Sequence, residues 1–84
     1  MNDNISGRTT NAECQVNFNY DNDAGVWIAT SDDLTGLVLE AESSETLIKR
    51  VIAAAPEIIE LNHLPKYKTI NFYMTRHERA VING

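Results

Sequence analysis

The chain has 84 residues, of which 43% are hydrophobic and 23% are charged, and its formal net charge is -5 at pH 7. These values predict one globular domain and exclude a disordered chain. The single cysteine, Cys14, excludes an internal disulfide, and no apolar run approaches the ~20 residues of a membrane-spanning helix. Because residues 1–11 also lack the apolar core of an export signal, we expect a cytoplasmic protein.

The charges are distributed unevenly along the chain. No Lys or Arg lies between Thr9 and Ile48, whereas the acidic residues of that stretch are Glu13, Asp21, Asp23, Asp32, Asp33, Glu40, Glu42 and Glu45. From His63 onward the basic residues are Lys66, Lys68, Arg76 and Arg79, against Glu78 alone. An anionic surface repels phosphate backbones and attracts basic proteins, but the same charges would also serve solubility alone. Both interpretations remain open at this stage.

Three strands are predicted in the first half of the chain. The first alternates between apolar and polar residues, with Cys14, Val16, Phe18 and Tyr20 on one face. Turn-forming residues separate it from a run rich in β-branched and aromatic residues, and a second turn precedes the third run. The predicted antiparallel meander comprises Glu13–Tyr20, Val26–Thr30 and Leu37–Ala41.

A helix and a fourth strand are predicted to follow. Ser43 is the expected N-cap, and apolar residues recur at helical spacing at Leu47, Ile48, Val51, Ile52 and Ala55. Pro56 is expected to break or kink this helix, because it removes a backbone donor and clashes with the preceding turn. Thr69–Arg76 alternates again. A right-handed crossover would place this strand parallel to the first and beside it, with the helix on one face of a small mixed sheet, an α+β fold of order β-β-β-α-β.

The boundaries and assembly state follow from these elements. Residues 1–11 are expected to form a disordered tail, residues 12–78 the domain, and residues 79–84 a frayed end. A domain of this length buries only somewhat more than ~60% of its unfolded surface, and an open sheet leaves its edges unpaired. We therefore expect a homodimer.

Two segments together resemble a known family. They are G-V-W-I-A-T-S-D-D-L-T-G-L-V-L-E-A at 25–41 and A-P-E-I-I-E-L-N at 55–62. The pattern resembles the HicB-like antitoxin superfamily, and within it a small stand-alone subgroup classed as a domain of unknown function. The resemblance covers Val16 to about Asn62 and departs at Thr35, where the family usually has Pro before the Gly.

The resemblance implies a partial RNase H-like fold and a protein that binds and neutralises a small basic RNase toxin of the HicA type. Members with a two-gene arrangement also carry a C-terminal DNA-binding domain. This chain ends too soon for one, so direct DNA binding is not expected. The residues expected to meet a basic partner are Trp27, Asp32, Asp33, Glu40, Glu42 and Glu45.

Two alternatives remain beside the antitoxin interpretation. One is an RNA-binding or RNA-processing-associated module, with nucleic-acid contacts at Lys66, Lys68, Arg76 and Arg79. The other is an orphan domain that has no toxin partner. The orientation of the Trp27 side chain also remains open. If Val26 and Ile28 face the core, its indole faces outward toward a partner, and in the opposite register it packs inside.

No catalytic, cofactor or metal site is predicted. Two-metal hydrolysis needs acids that converge from several elements on metals ~3.5–4 Å apart. The acids to consider are Asp21, Asp23, Asp32 and Asp33. All four fall in predicted turns, where such residues serve turn formation. His63 and His77 have no metal-ligand spacing with each other or with Cys14, so we expect a protein that is not an enzyme.

Overall fold

The computed structural model describes residues 13–83, which form four strands and one helix. The expected tail at 1–11 lies outside this range. The sheet has the order β3-β2-β1-β4, with β1 antiparallel to β2, β2 antiparallel to β3, and β4 parallel to β1. The predicted α+β class and crossover are confirmed. The elements are β1 (Glu13–Asp21), β2 (Val26–Thr30), β3 (Val38–Ala41), α1 (Ser44–Leu61) and β4 (Thr69–Thr75).

One face of the sheet carries the hydrophobic core. Phe18 lies opposite Ala29 on β2, and Val16 lies opposite Phe72 on β4, so these side chains share the face that α1 covers. The Phe18 and Phe72 rings pack with their centroids 5.2 Å apart. The fully or nearly buried residues are Cys14, Val16, Phe18, Ala29, Leu34, Leu37, Leu47, Val51 and Ala55.

The helix begins as predicted but does not break at Pro56. The Ser43 hydroxyl accepts a hydrogen bond from the Thr46 backbone N–H at 3.1 Å, which satisfies one of the unpaired donors of the first turn. α1 then runs through Pro56 to Leu61 as one assigned helix. Of the two expected outcomes, a break or a kink, the break did not occur, because the apolar side chains beyond Pro56 still pack on the core and packing outweighs the loss of one hydrogen bond.

The end of α1 is a Schellman motif built around a histidine. The Leu64 N–H donates to the Ile59 carbonyl at 3.0 Å, and the His63 N–H donates to the Glu60 carbonyl at 3.4 Å. His63 has φ 52°, the left-handed conformation that usually selects glycine at this position. The segment that follows leads to β4.

α1 covers the sheet unequally. It packs chiefly over β2 and β3, so the apolar face of β4 lies beyond its edge. Ile52, which helical spacing places on the predicted apolar face, is 54% exposed as a result. Residues 76–83 form neither helix nor strand and are exposed.

Candidate functional site

Acidic and basic residues lie at opposite edges of the sheet. β3 and β4 each have a neighbouring strand on only one side within residues 13–83. The acidic residues expected to meet a partner follow or flank β3, whereas the basic residues of the alternative flank β4. Part of the charge asymmetry of the sequence is therefore an asymmetry between two strand edges, whereas Glu13 bonds to Asn71 of β4 and Asp23 lies beside His77 and Arg79.

The acidic edge consists of Asp32, Glu40, Glu42 and Glu45. Asp32 lies in the turn before β3, Glu40 lies within β3, and Glu42 follows it directly. Glu45 occupies the first turn of α1, where a carboxylate also favours the helix dipole. All four are exposed, and no residue of the described range forms a salt bridge with them. They thus present negative charge from before the start of β3 to beyond its end.

Asp33 was predicted to meet a partner, but its side chain turns inward. Its Oδ2 accepts a hydrogen bond from the Gln15 backbone N–H at 2.7 Å, and the residue is half-buried. The carboxylate therefore holds the turn between β2 and β3 against the start of β1. This role depends on a residue 18 positions earlier, so the pair Asp32–Asp33 divides into one exposed and one structural carboxylate.

Ser31 completes the same connection. Its hydroxyl donates to the Gln15 carbonyl at 2.6 Å and accepts from the backbone N–H groups of Asp33 and Leu34 at 3.0 and 2.9 Å. A single hydroxyl can serve as one donor and two acceptors, so its capacity is fully used. Sequence reasoning missed this residue, although a Ser followed by Asp-Asp-Leu carries the signal of a side-chain-capped turn.

The turn also places two leucines in the core. Leu34 is 0% exposed, and Leu37 is 3% exposed. The Leu37 N–H donates to the Leu34 carbonyl at 3.0 Å, and Gly36 between them has φ 85°. These features fit a type II turn with Thr35 at its second position, where Pro is favoured. Much of the D-D-L-T-G-L pattern is therefore explained by folding rather than by recognition.

Trp27 lies on the helix side of the sheet. It shares that face with Ala29, which is fully buried, and its half-buried indole packs against the core. Its ring meets Tyr20 edge-to-face at 5.2 Å between centroids, and the Arg76 guanidinium lies 4.1 Å from the centroid of the Tyr20 ring. Of the two registers, the inside one is correct, and the register with Val26 and Ile28 in the core is wrong.

Arg50 contacts the backbone of β3. Its guanidinium, on α1, donates to the backbone carbonyl of Glu40. β3 is four residues long, so this contact engages one of the few carbonyls an added strand would use. The acidic edge therefore suits side-chain contacts better than strand addition.

The four basic residues do not form one patch. Lys66 and Lys68 precede β4, whereas Arg76 and Arg79 follow it. The eight residue steps from Lys68 to Arg76 correspond to about 26 Å along an extended strand. Arg76 is also engaged within the chain, since its Nε lies 2.7 Å from Glu78 Oε2 and its guanidinium stacks on a tyrosine.

Cys14 is a buried thiol beside the turn. Burial, and secondarily the Asp33 charge, raises the pKa of Cys14 above 9.0. Burial and the same carboxylate also raise the pKa of Tyr67 above 10.0. Among residues 13–83, no three His, Cys, Asp or Glu side chains lie close enough to share a metal ion. None of the helical structure in that range combines the length and apolar character needed to span a bilayer.

A groove runs between the second half of α1 and the segment before β4. Pro56, Ile59 and Tyr67 line both of its adjoining parts, of ≈ 520 and ≈ 250 Å³. Its outer part also contacts Glu60 and Lys66. Sequence reasoning did not single out this groove, because its walls come from segments that meet only after folding.

The fold and its charged edges define a small α+β domain with an exposed acidic strand edge. A family model described as "Domain of unknown function (DUF1902)" matches residues 13–83. The chain belongs to this family. It is also similar to the crystal structure of hypothetical protein TTHA1013 from the extremely thermophilic bacterium Thermus thermophilus, with 30% identity, a TM-score of 0.66, and coverage of 83% of this chain and 99% of that one. No curated protein matches the chain.

Proposed function

We propose that this chain is a non-catalytic protein-interaction module of the HicB-like antitoxin type, which binds and neutralises a small basic RNase toxin. The observation that carries the proposal is the acidic edge, where four exposed carboxylates without salt bridges to residues 13–83 flank β3. The resemblance of segments 25–41 and 55–62 to that superfamily supports the same assignment.

The chemistry of recognition is electrostatic. Exposed carboxylates on one edge would steer a basic protein toward β3 and raise its association rate, an effect that salt weakens. Arg50 adds one positive charge to this region and engages the Glu40 carbonyl. The basic partner would therefore bind the side chains of the acidic edge and not extend the sheet.

The test is inhibition of a basic RNase by wild-type and charge-reversed protein. The reversed variant is Asp32→Lys/Glu40→Lys, since both side chains are exposed and neither accepts a side-chain hydrogen bond from residues 13–83. The matched control is Glu57→Lys/Glu60→Lys, which changes the net charge equally on α1, with Glu60 at the groove on the β4 side. Wild type and control should retrieve a small basic protein from lysate and inhibit its RNase activity.

The reversed variant should lose both effects at low salt, and the difference should shrink as the screening length falls toward ~8 Å. Equal retrieval and inhibition by wild-type and reversed protein would refute the acidic edge. Enrichment of RNA by wild type, lost on Lys68→Glu, would favour the RNA-binding alternative instead.

The proposal also requires that the chain itself does not cleave RNA. Purified protein with Mg²⁺ or Mn²⁺ should leave RNA and RNA–DNA hybrids intact, because Asp33 is held in a backbone contact. Cleavage that Asp32→Asn abolishes would overturn the non-catalytic assignment.

A further inference from the structure

The apolar face of β4 is incompletely covered within residues 13–83. Ile70 and Phe72 are half-buried, Met74 is 48% exposed, and the neighbouring Ile52 of α1 is 54% exposed. We call these four residues the β4 apolar strip. On β1, one strand further in, the corresponding side chains Cys14, Val16 and Phe18 are fully buried. The core thus stays open on the side of β4.

β4 also leaves backbone groups free. It has seven residues, against four in β3, and its only neighbour in the described sheet is β1. No side chain of residues 13–83 hydrogen-bonds to the β4 backbone, whereas Arg50 occupies a carbonyl of β3. A long, apolar and unguarded strand edge is a template for pairing with another strand.

We propose that β4 pairs antiparallel with β4 of a second copy about a two-fold axis at Tyr73, forming a continuous eight-stranded sheet. This proposal is independent of the proposed function, because it concerns the opposite edge. Charge complementarity favours both a second copy as the partner of β4 and one particular register of the two strands. Residues that face each other across an antiparallel pair have their side chains on the same face of the sheet. The apolar strips of the two copies therefore lie on one face only if the two-fold axis passes through a residue, not between two residues.

Three registers would pair most of β4 with β4 of the second copy, and they differ in which charged residues face each other. With the axis at Asn71, Lys68 faces the partner's Met74 and gains no residue of opposite charge, and Lys66 lies in the turn closed by the Tyr67 N–H and the Pro65 carbonyl. With the axis at Phe72, Lys68 faces the partner's Arg76. Like charges placed opposite each other destabilise a strand pair, which disfavours the Phe72 register, and the Asn71 register forms no ion pair.

The register centred on Tyr73 places no like charges opposite each other and pairs a lysine with a glutamate, although Ile70 faces the partner's Arg76. Lys68 faces the partner's Glu78, Phe72 faces the partner's Met74, and Asn71 faces the partner's Thr75. The Arg76–Glu78 contact at 2.7 Å places both side chains on one face, as in an extended chain, so the pairing can continue past Thr75. Each Glu78 would then lie between Arg76 of its own chain and a lysine of the second copy.

The register is tested by cysteine substitution on the exposed face of β4. Facing residues in an antiparallel pair have Cα atoms about 4.5–5.5 Å apart, within the range that a disulfide spans. Tyr73→Cys should therefore crosslink to itself on mild oxidation. Asn71→Cys alone should not, since its two copies would be separated by four residue steps, about 13 Å. Asn71→Cys mixed with Thr75→Cys should crosslink.

The other registers predict different products. Self-crosslinking of Asn71→Cys would place the axis at Asn71, and crosslinking of Asn71→Cys only with Tyr73→Cys would place it at Phe72. Either result overturns the proposed register. Wild-type protein, which has only buried Cys14, and Val38→Cys on the opposite edge are controls that should stay uncrosslinked.

Charge reversal tests the same pairing without crosslinking. Lys68→Glu and Glu78→Lys should each weaken dimerisation on the order of tenfold in sedimentation at low salt, because two symmetric ion pairs become repulsive. The double variant should associate more tightly than either single variant, but more weakly than wild type, because it loses the contact between Arg76 and Glu78. A monomer at micromolar concentration, self-crosslinking only of Val38→Cys, or a double variant as weak as either single one would overturn the proposal.

Discussion

The adjacent residues Asp32 and Asp33 should respond very differently to the same substitution. Asp33 accepts the Gln15 N–H at 2.7 Å and is half-buried, whereas Asp32 is exposed and has no hydrogen-bonding role among residues 13–83. Removing the Asp33 side chain leaves a backbone donor without its acceptor at the start of β1. Removing the Asp32 side chain takes one charge from the acidic edge and leaves the turn intact.

The difference can be estimated from the strength of such contacts. Hydrogen bonds to charged groups contribute about 1.5–3 kcal/mol, and because Asp33 is only half-buried we take about 2 kcal/mol for Asp33→Ala. In a domain of this size 1 kcal/mol corresponds to about 4–8 °C, so the melting temperature should fall by about 8–16 °C. Asp32→Ala should change stability by less than about 0.5 kcal/mol.

Urea unfolding followed by Trp27 fluorescence measures the free energy of unfolding of both variants, since this indole is half-buried against the core. Asp33→Asn is the informative third variant, because its amide oxygen can still accept the Gln15 N–H and should recover part of the loss. Equal losses for Asp32→Ala and Asp33→Ala would refute the argument. A larger loss for Asp32→Ala would refute it more directly.

Three further substitutions test the turn, the helix end and the buried thiol. Thr35→Pro should raise stability by about 0.4–1 kcal/mol in thermal unfolding, because Thr35 precedes Gly36 in a turn that favours Pro and its N–H donates to no described residue. His63→Gly should stabilise by about 1 kcal/mol, because φ 52° strains a side-chain-bearing residue, and a loss would contradict this account. Since the pKa of Cys14 is raised above 9.0 in the folded state, the unfolded thiol ionises first and stability should decline as pH rises past 9.0. Cys14→Ala should remove the decline in stability that is due to the thiol. The decline due to Tyr67, whose pKa is raised from 10.0, should remain.

The strands and the crossover could be predicted because their signals are local. β1 and β4 alternate between apolar and polar residues over seven or more positions, and this period places Val16 and Phe72 on the buried face without knowledge of their neighbours. The preference for right-handed crossovers then predicts β4 parallel to β1 and beside it, which is the observed pairing. The Ser43 cap is equally local, since its partner lies three residues away.

The features that could not be predicted depend on distant residues. β2 is V-W-I-A-T, nearly apolar at every position, so no period distinguishes the two faces, and Trp27 could be placed inside only from its neighbour Tyr20. The inward turn of Asp33 depends on Gln15, which no local pattern connects to it. The continuation of α1 past Pro56 depends on packing of its last turns. In each case tertiary contacts outweighed local preference.

The opposite charges of the two sheet edges raise a second mode of association. The acidic edge of one copy could attract the basic residues that flank β4 of another, and repeated head-to-tail contacts of this kind would build an open filament. Strand geometry opposes it. β3 offers four residues to the seven of β4, and Arg50 occupies the Glu40 carbonyl, so few main-chain hydrogen bonds could form.

Pairing of β4 with its own copy closes after two subunits and leaves both acidic edges free. We therefore expect sedimentation at rising protein concentration to reach a plateau at the mass of a dimer. Arg50→Ala should not change this plateau, because β3 would remain too short to match β4. Continued growth with concentration that Lys68→Glu abolishes would show that the edges join head-to-tail and that charge, not strand length, decides how copies associate.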